Sequence, residues 1–112
     1  MKNKFIVKAT TGVRKVFNGG MVRGVEDGKP NYLLLWQPMV KRWAEHMTKG
    51  AAHYGKRNWM KASGEEELER FQESALRHMF QWLNNERDED HAAACLFNIT
   101  GAEYVREKLN KK

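Results

Sequence analysis

The chain has 112 residues, a net charge of +6 and 41% hydrophobic residues. This length gives one domain with a single core, and no run approaches the roughly 20 apolar residues that span a membrane. Phe5-Ile6-Val7 is too short for the apolar stretch of a secretory signal, and the lone Cys95 lies in an apolar segment. Both point to a reducing cytoplasm, with Cys95 as a buried thiol.

The charge is unevenly spread. Residues 1–30 carry seven Lys/Arg against two acids, residues 31–64 six against one, and residues 65–90 nine acids against three Arg. A nucleic-acid binder shows a basic stripe without such an acidic block, so nucleic acid ranks below a phosphate ligand met together with a divalent cation. A solvated acidic helix face beside a basic tail is the plain alternative.

Residues 1–32 are glycine-rich and lack helical period, which predicts an irregular arm. Phe5 to Ala9 reads as a short extended segment; Gly19-Gly20, Gly24 and Asp27-Gly28-Lys29-Pro30 are turn signals. The helical core is expected over 33–109. Its first helix spans about Pro38 to Tyr54, with Pro in the opening turn and Gly55 as the stop. Met39, Val40, Trp43 and Met47 form its apolar stripe; Arg42, Glu45, His46, Lys49 and His53 take the opposite side.

The second helix opens on Ser63-Gly64-Glu65-Glu66, read as a capping box with Ser63 as N-cap and Glu66 at N3. Leu68, Phe71, Ala75, Met79 and Trp82 make its apolar face, and Asn84-Asn85 ends it. The third helix is expected to start at Asp88, with three acids in its first turn favoured by the helix dipole. From Ala92 to Val105 it is apolar nearly all round, which predicts the central, most buried helix. The fold class is mainly α: a small bundle of three principal helices with an irregular N-terminal arm, completed by oligomerisation. The four Trp and six Met of so short a chain exceed what one small helical layer covers.

Several polar residues are candidates for chemistry. Asn98 sits in an apolar helix, and a buried carboxamide without a partner costs roughly 1–3 kcal/mol. A bond between helices would satisfy it as well as a ligand would. His91 shares its face. His78 lies at the edge of the second helix's apolar face, where a satisfied core histidine is the common case. Glu69 or Glu73, with Glu89 or Asp90 on the next element, supply the oxygens that Mg²⁺ or Mn²⁺ prefer. Glu73 is also four residues before Arg77, the spacing of a surface ion pair. Lys56 and Arg57, just past a helix end, suit phosphates. Trp59 suits stacking on a base, or plugging a gap between helices. A zinc site has no support, since the chain has no Cys pair and no His-Glu-x-x-His.

Taken in order, Gly28-Lys29-Pro30, Gly50-Ala51, Tyr54-Gly55, Arg57-Asn58-Trp59, Ala75-Leu76-Arg77-His78, Asp88-Glu89-Asp90-His91 and Asn98 resemble the phage-rich dATP/dGTP diphosphohydrolases. That family is similar to the MazG-like all-α nucleotide pyrophosphohydrolases. The resemblance runs from about Phe17 to Val105. It implies a metal-dependent enzyme, with Mg²⁺ or Mn²⁺, that cleaves a purine (deoxy)nucleoside triphosphate to monophosphate and pyrophosphate. A dimer or tetramer and attack by water on the α-phosphorus are implied with it. His78, Asp90 and His91 would be catalytic; Lys56, Arg57, Asn58, Trp59, Arg77 and Asn98 would meet the nucleotide. Glu66-x-x-Glu69 matches the first half of the MazG metal pattern. Glu86-x-x-Glu89 has Glu where Asp is expected, and Ala94 stands where many relatives have a second histidine. A phage protein that binds a host factor or sequesters a nucleotide without catalysis is the alternative.

Overall fold

The computed structural model describes residues 14–24 and 28–111. The segment Phe5 to Ala9 and Asp27 lie outside the described residues. The described chain divides into an N-terminal unit, up to Leu35, and a helical unit from Trp36 onward.

The N-terminal unit is more ordered than an irregular arm. Strands β1 (Arg14–Val16) and β2 (Val22–Gly24) pair antiparallel, with Val16 opposite Val22. The connecting turn is closed by Phe17 N–H to Met21 O and Gly20 N–H to Phe17 O, both 2.8 Å. Gly20 has φ +89°, a conformation that glycine adopts without steric cost. The valines flanking this turn are the only strand signal, and both remain exposed. A 3₁₀ turn follows at Tyr32–Leu34, capped by Asn31 Oδ1, which accepts from Leu33 N–H at 3.1 Å.

The helical unit has three α-helices: α1 (Gln37–Tyr54), α2 (Glu65–Leu83) and α3 (His91–Asn110). Helix α3 packs against both others, most extensively against α2, whereas α1 and α2 barely meet. The unit is therefore a single layer with α3 in the middle, and α3 carries most of the buried residues, from His91 to Val105. Small side chains allow this close packing. Gly101 lies under the Phe71 ring, where an added Cβ would come within 2.5 Å of a ring carbon. The Cys95 thiol points at Ala75 O of α2 from 3.6 Å, and burial pushes its pKa up.

Two helix starts differ from the sequence reading. Helix α2 begins one residue later than the Ser63 box, because Gly64 is the N-cap and its carbonyl takes the first helical bond from Leu68 N–H. Glu67, not Glu66, folds back: its Oε1 accepts from Gly64 N–H at 2.9 Å and Ser63 N–H at 3.1 Å. Ser63 and Gly64 both suit the cap, and Glu66 and Glu67 both suit the third helical position, which left the register open by one. Helix α3 starts at His91, not Asp88. Asp90 is its N-cap and accepts from Ala93 N–H at 3.1 Å, so Asp88 and Glu89 precede the helix. An aspartate with an alternative use for its side chain favours the cap over the interior.

The expected apolar faces hold with two exceptions. On α1, Met39, Trp43 and Met47 are half-buried, but Val40 is exposed and Arg42 and His46 take half-buried places. On α2, Leu68, Phe71, Ala75 and Met79 are half-buried, while Trp82 is exposed. Leu76, Phe80 and Leu83, spaced four and three residues apart on α2, are also exposed. No helix among the described residues is long and apolar enough to cross a membrane.

Candidate active site

Between α1, the 3₁₀ turn at Asn58–Lys61 and the start of α3 lies a cavity of about 430 Å³. That is within the range of small-molecule sites. Helix α1 contributes Arg42, His46, Lys49 and His53, spaced four, three and four residues apart on one face. Past the helix end come Lys56, Asn58 and Trp59, and Glu89, Asp90 and Phe97 come from the far side. Basic side chains thus predominate on the α1 side of the cavity, beside Glu45, while Glu89 and Asp90 face them from the α3 side with aromatic rings between.

Trp59 is half-buried and edge-on to Tyr104, with ring centroids 5.0 Å apart, and to Phe97 at 6.3 Å. It plugs the space between turn and helix while still lining the cavity. Lys108 fixes the turn from below, its Nζ donating to Met60 O at 2.7 Å and Ala62 O at 2.8 Å.

Asp90 is fully engaged. Arg42 Nε donates to Asp90 Oδ2 and Arg42 Nη2 to Oδ1, both at 2.7 Å. The guanidinium beside it, helped by the Ala93 amide, pulls the Asp90 carboxyl down to about 2. Such a fork is the strong form of an ion pair, and it ties α1 to the N-cap of α3.

One residue on, His91 reaches the other way. It is 2% exposed and its Nε2–H donates to Asp88 Oδ1 at 2.7 Å. A carboxylate only accepts, so this bond fixes the ring's tautomer and leaves Nδ1 as an acceptor. The same bond holds the Asp88 carboxyl below its ordinary value. His91 Nδ1 stands 2.9 Å from His78 Nδ1 of α2, and His78 is 8% exposed. Burial lowers the His78 pKa, with Arg77 and the other histidines acting in the same direction and Glu89 against them.

His78, Glu89 and His91 bring one ligand atom each within 4.8 Å of one another, close enough to hold a metal ion. Two imidazole nitrogens and a carboxylate oxygen fit a divalent cation of borderline softness. Glu89 also lines the cavity, so this group opens onto it through that side chain.

The other residues singled out in the sequence are distributed differently. Glu69 and Glu73 lie together along a shallower groove beside Phe71 and Arg70, and neither belongs to a metal-competent group among the described residues. Glu73 Oε1 accepts from Arg77 Nε at 3.2 Å on the exposed face of α2. Arg57 is the exposed residue before the 3₁₀ turn and is not among the cavity's lining. Asn98 satisfies itself within its own helix, its Nδ2 donating to Ala94 O at 2.8 Å, not across to a neighbour. Sequence reasoning missed Arg42 and His46, which it had assigned to the solvent side, and missed Asp88 as the partner of His91. The basic stripe at 42, 46, 49 and 53 was the available signal, since its spacing repeats one helical face.

The chain matches the family described as dATP/dGTP diphosphohydrolase, N-terminal, over residues 20–111. No curated protein and no solved structure matches it. With a match over most of its length, and with the helices that carry the cavity inside it, the chain belongs to the dATP/dGTP diphosphohydrolase, N-terminal family.

Proposed function

We infer that the chain takes a purine nucleoside triphosphate into the α1–α3 cavity and cleaves it to monophosphate and pyrophosphate. The observation that carries this reading is the cavity itself: Lys49, His53 and Lys56 beside Trp59 and Phe97, facing the carboxylate of Glu89. Phosphates favour the cationic side, and a base finds aromatic edges and faces. Lys56, Asn58 and Trp59 contact the nucleotide, with Arg57 reaching the phosphates from the rim. Arg77 and Asn98 support the site from α2 and α3. The ion, when bound, supplies charge neutralisation and Lewis acidity. Of the acids considered from the sequence, Glu89 alone both lines the cavity and joins a ligand group. Asp90 positions Arg42 and the start of α3, and His78 and His91 stand where a proton is held between two rings. A second copy covers the exposed Leu76, Phe80 and Leu83 of α2.

The test is incubation with each dNTP and NTP in Mn²⁺ or Mg²⁺, reading pyrophosphate and monophosphate by chromatography. Turnover of dATP or dGTP supports the reading; pyrophosphate from none of them removes it. A second reading is nucleotide sequestration without turnover. It is favoured by the engagement of both Asp90 oxygens with Arg42. Tight nucleotide binding without product formation selects it.

A further inference from the structure

We propose that His78, His91 and Glu89 form a binding site for a first-row transition dication, and that this site discriminates against Mg²⁺. The nucleotide reading requires an ion and draws on Glu89; the inference rests on and deepens that reading by assigning the two histidines and the ion's identity, and it is tested without nucleotide.

The geometry argues first. The two Nδ1 atoms are 2.9 Å apart and belong to side chains more than nine-tenths buried. Two imidazole nitrogens bound at right angles to one ion, with bonds of about 2.1 Å, stand about 3.0 Å apart. Without an ion the two nitrogens are within hydrogen-bond distance of each other; an ion would take the place of that contact. Glu89 supplies a third ligand atom, within 4.8 Å of the others.

The surroundings argue second. Asp88 accepts from His91 Nε2–H at 2.7 Å. A carboxylate behind a ligating imidazole orients the ring and raises its basicity, the arrangement found behind most metal-bound histidines. It also commits Nδ1, not Nε2, to the inside of the cluster. Glu89 is exposed and faces the cavity, so an ion enters from that side and leaves open positions for water or a phosphate oxygen.

The donor types decide the metal. Magnesium binds oxygen, dehydrates reluctantly and gains little from imidazole. Imidazole donors raise affinity for Mn²⁺, Co²⁺ and Zn²⁺ in that rising order. A site with two buried nitrogens and one oxygen therefore ranks these ions above Mg²⁺.

The experiment is titration calorimetry of chelator-treated, nucleotide-free full chain with Mn²⁺, Zn²⁺ and Mg²⁺. It is joined by pulsed electron paramagnetic resonance of the Mn²⁺-loaded protein to detect coupled imidazole nitrogen. Expected are Mn²⁺ and Zn²⁺ affinities at least tenfold above that of Mg²⁺, and nitrogen coupling. Glu89→Gln and His78→Gln should each lower Mn²⁺ affinity at least tenfold, while Glu73→Gln leaves it unchanged. Glu89 is exposed, so its variant tests the site even if His78→Gln fails to fold. Equal affinity for Mg²⁺ and Mn²⁺, absence of nitrogen coupling, or unchanged Mn²⁺ binding in Glu89→Gln overturns the proposal. Failure here leaves the nucleotide reading to its own product assay.

Discussion

Arg42 holds Asp90 through two parallel bonds of 2.7 Å, and in doing so joins the middle of α1 to the N-cap of α3. Both side chains are partly exposed, at 42% and 32%, so solvent screens the pair. A double-mutant cycle with Arg42→Ala and Asp90→Ala should give a coupling of about 1 kcal/mol, read from urea midpoints. Asp90→Ala should cost more than Arg42→Ala, because it also removes the cap on Ala93 N–H, worth about 1 kcal/mol.

The pH dependence of that clasp has a definite sign. Asp90 is depressed from 3.8 to about 2 on folding, so its contribution is present above pH 3.8 and is lost as the pH falls towards 2. Acid titration followed by circular dichroism should show the wild type outlasting Asp90→Asn in this window. Coincident acid transitions would deny the clasp a role in stability.

Gly101→Ala should destabilise, against helix propensity. Alanine gains up to about 1 kcal/mol in a helix interior. The new methyl would meet Phe71 ring carbons at 2.5–2.7 Å, and overpacking costs roughly 1–3 kcal/mol. Phe71 is itself edge-on to Phe97 at 5.9 Å, so it cannot swing away freely. Thermal denaturation should show a midpoint several degrees lower; a raised midpoint would place the ring elsewhere.

Lys49 and Lys56 face the same cavity from either side of the α1 stop at Gly55. If they meet phosphates, Lys49→Ala with Lys56→Ala should weaken binding of a purine triphosphate at least tenfold in calorimetry. Binding by the wild type should also weaken as salt rises. Loss of affinity confined to the monophosphate would contradict the assignment.

The exposed Leu76, Phe80 and Leu83 make one apolar ridge along α2. Leu76→Glu with Phe80→Glu should convert a self-associating species to monomer in light scattering at micromolar concentration. A wild-type chain that is strictly monomeric there ends the idea.

The order of elements was legible in the sequence, because Pro38, Gly55, Asn84 and the long apolar run after His91 punctuate and pattern the helices strongly. The hairpin was not, since two three-residue strands joined by a Gly-Gly turn carry almost no periodicity. The helix starts slipped by one residue at Gly64 and by three at His91, where several polar residues competed for the cap. In the site, His78 and His91 stood out as polar groups on apolar faces, and they do meet. Arg42 and His46 did not stand out, because basic residues on a helix read as solvent-facing until the neighbour they face is known. Glu73 was read both as a ligand and as the ion-pair partner of Arg77, and the pair is what forms; Asp90 was read for its charge, but the distant Arg42 claims it.

Adjacent residues at the head of α3 look in opposite directions, Asp90 to α1 and His91 to α2. Since α1 and α2 scarcely touch, that dipeptide, with Phe97 between His46 and Phe71 further along α3, is one of the links from flank to flank. An anion that drew Arg42 into the cavity would slacken Asp90's grip on the Ala93 amide, one turn from the histidine pair. The exchange rate of that single amide proton would then report on both sides of the layer, and occupancy of the cavity and loading of the histidines would be thermodynamically linked through a helix cap.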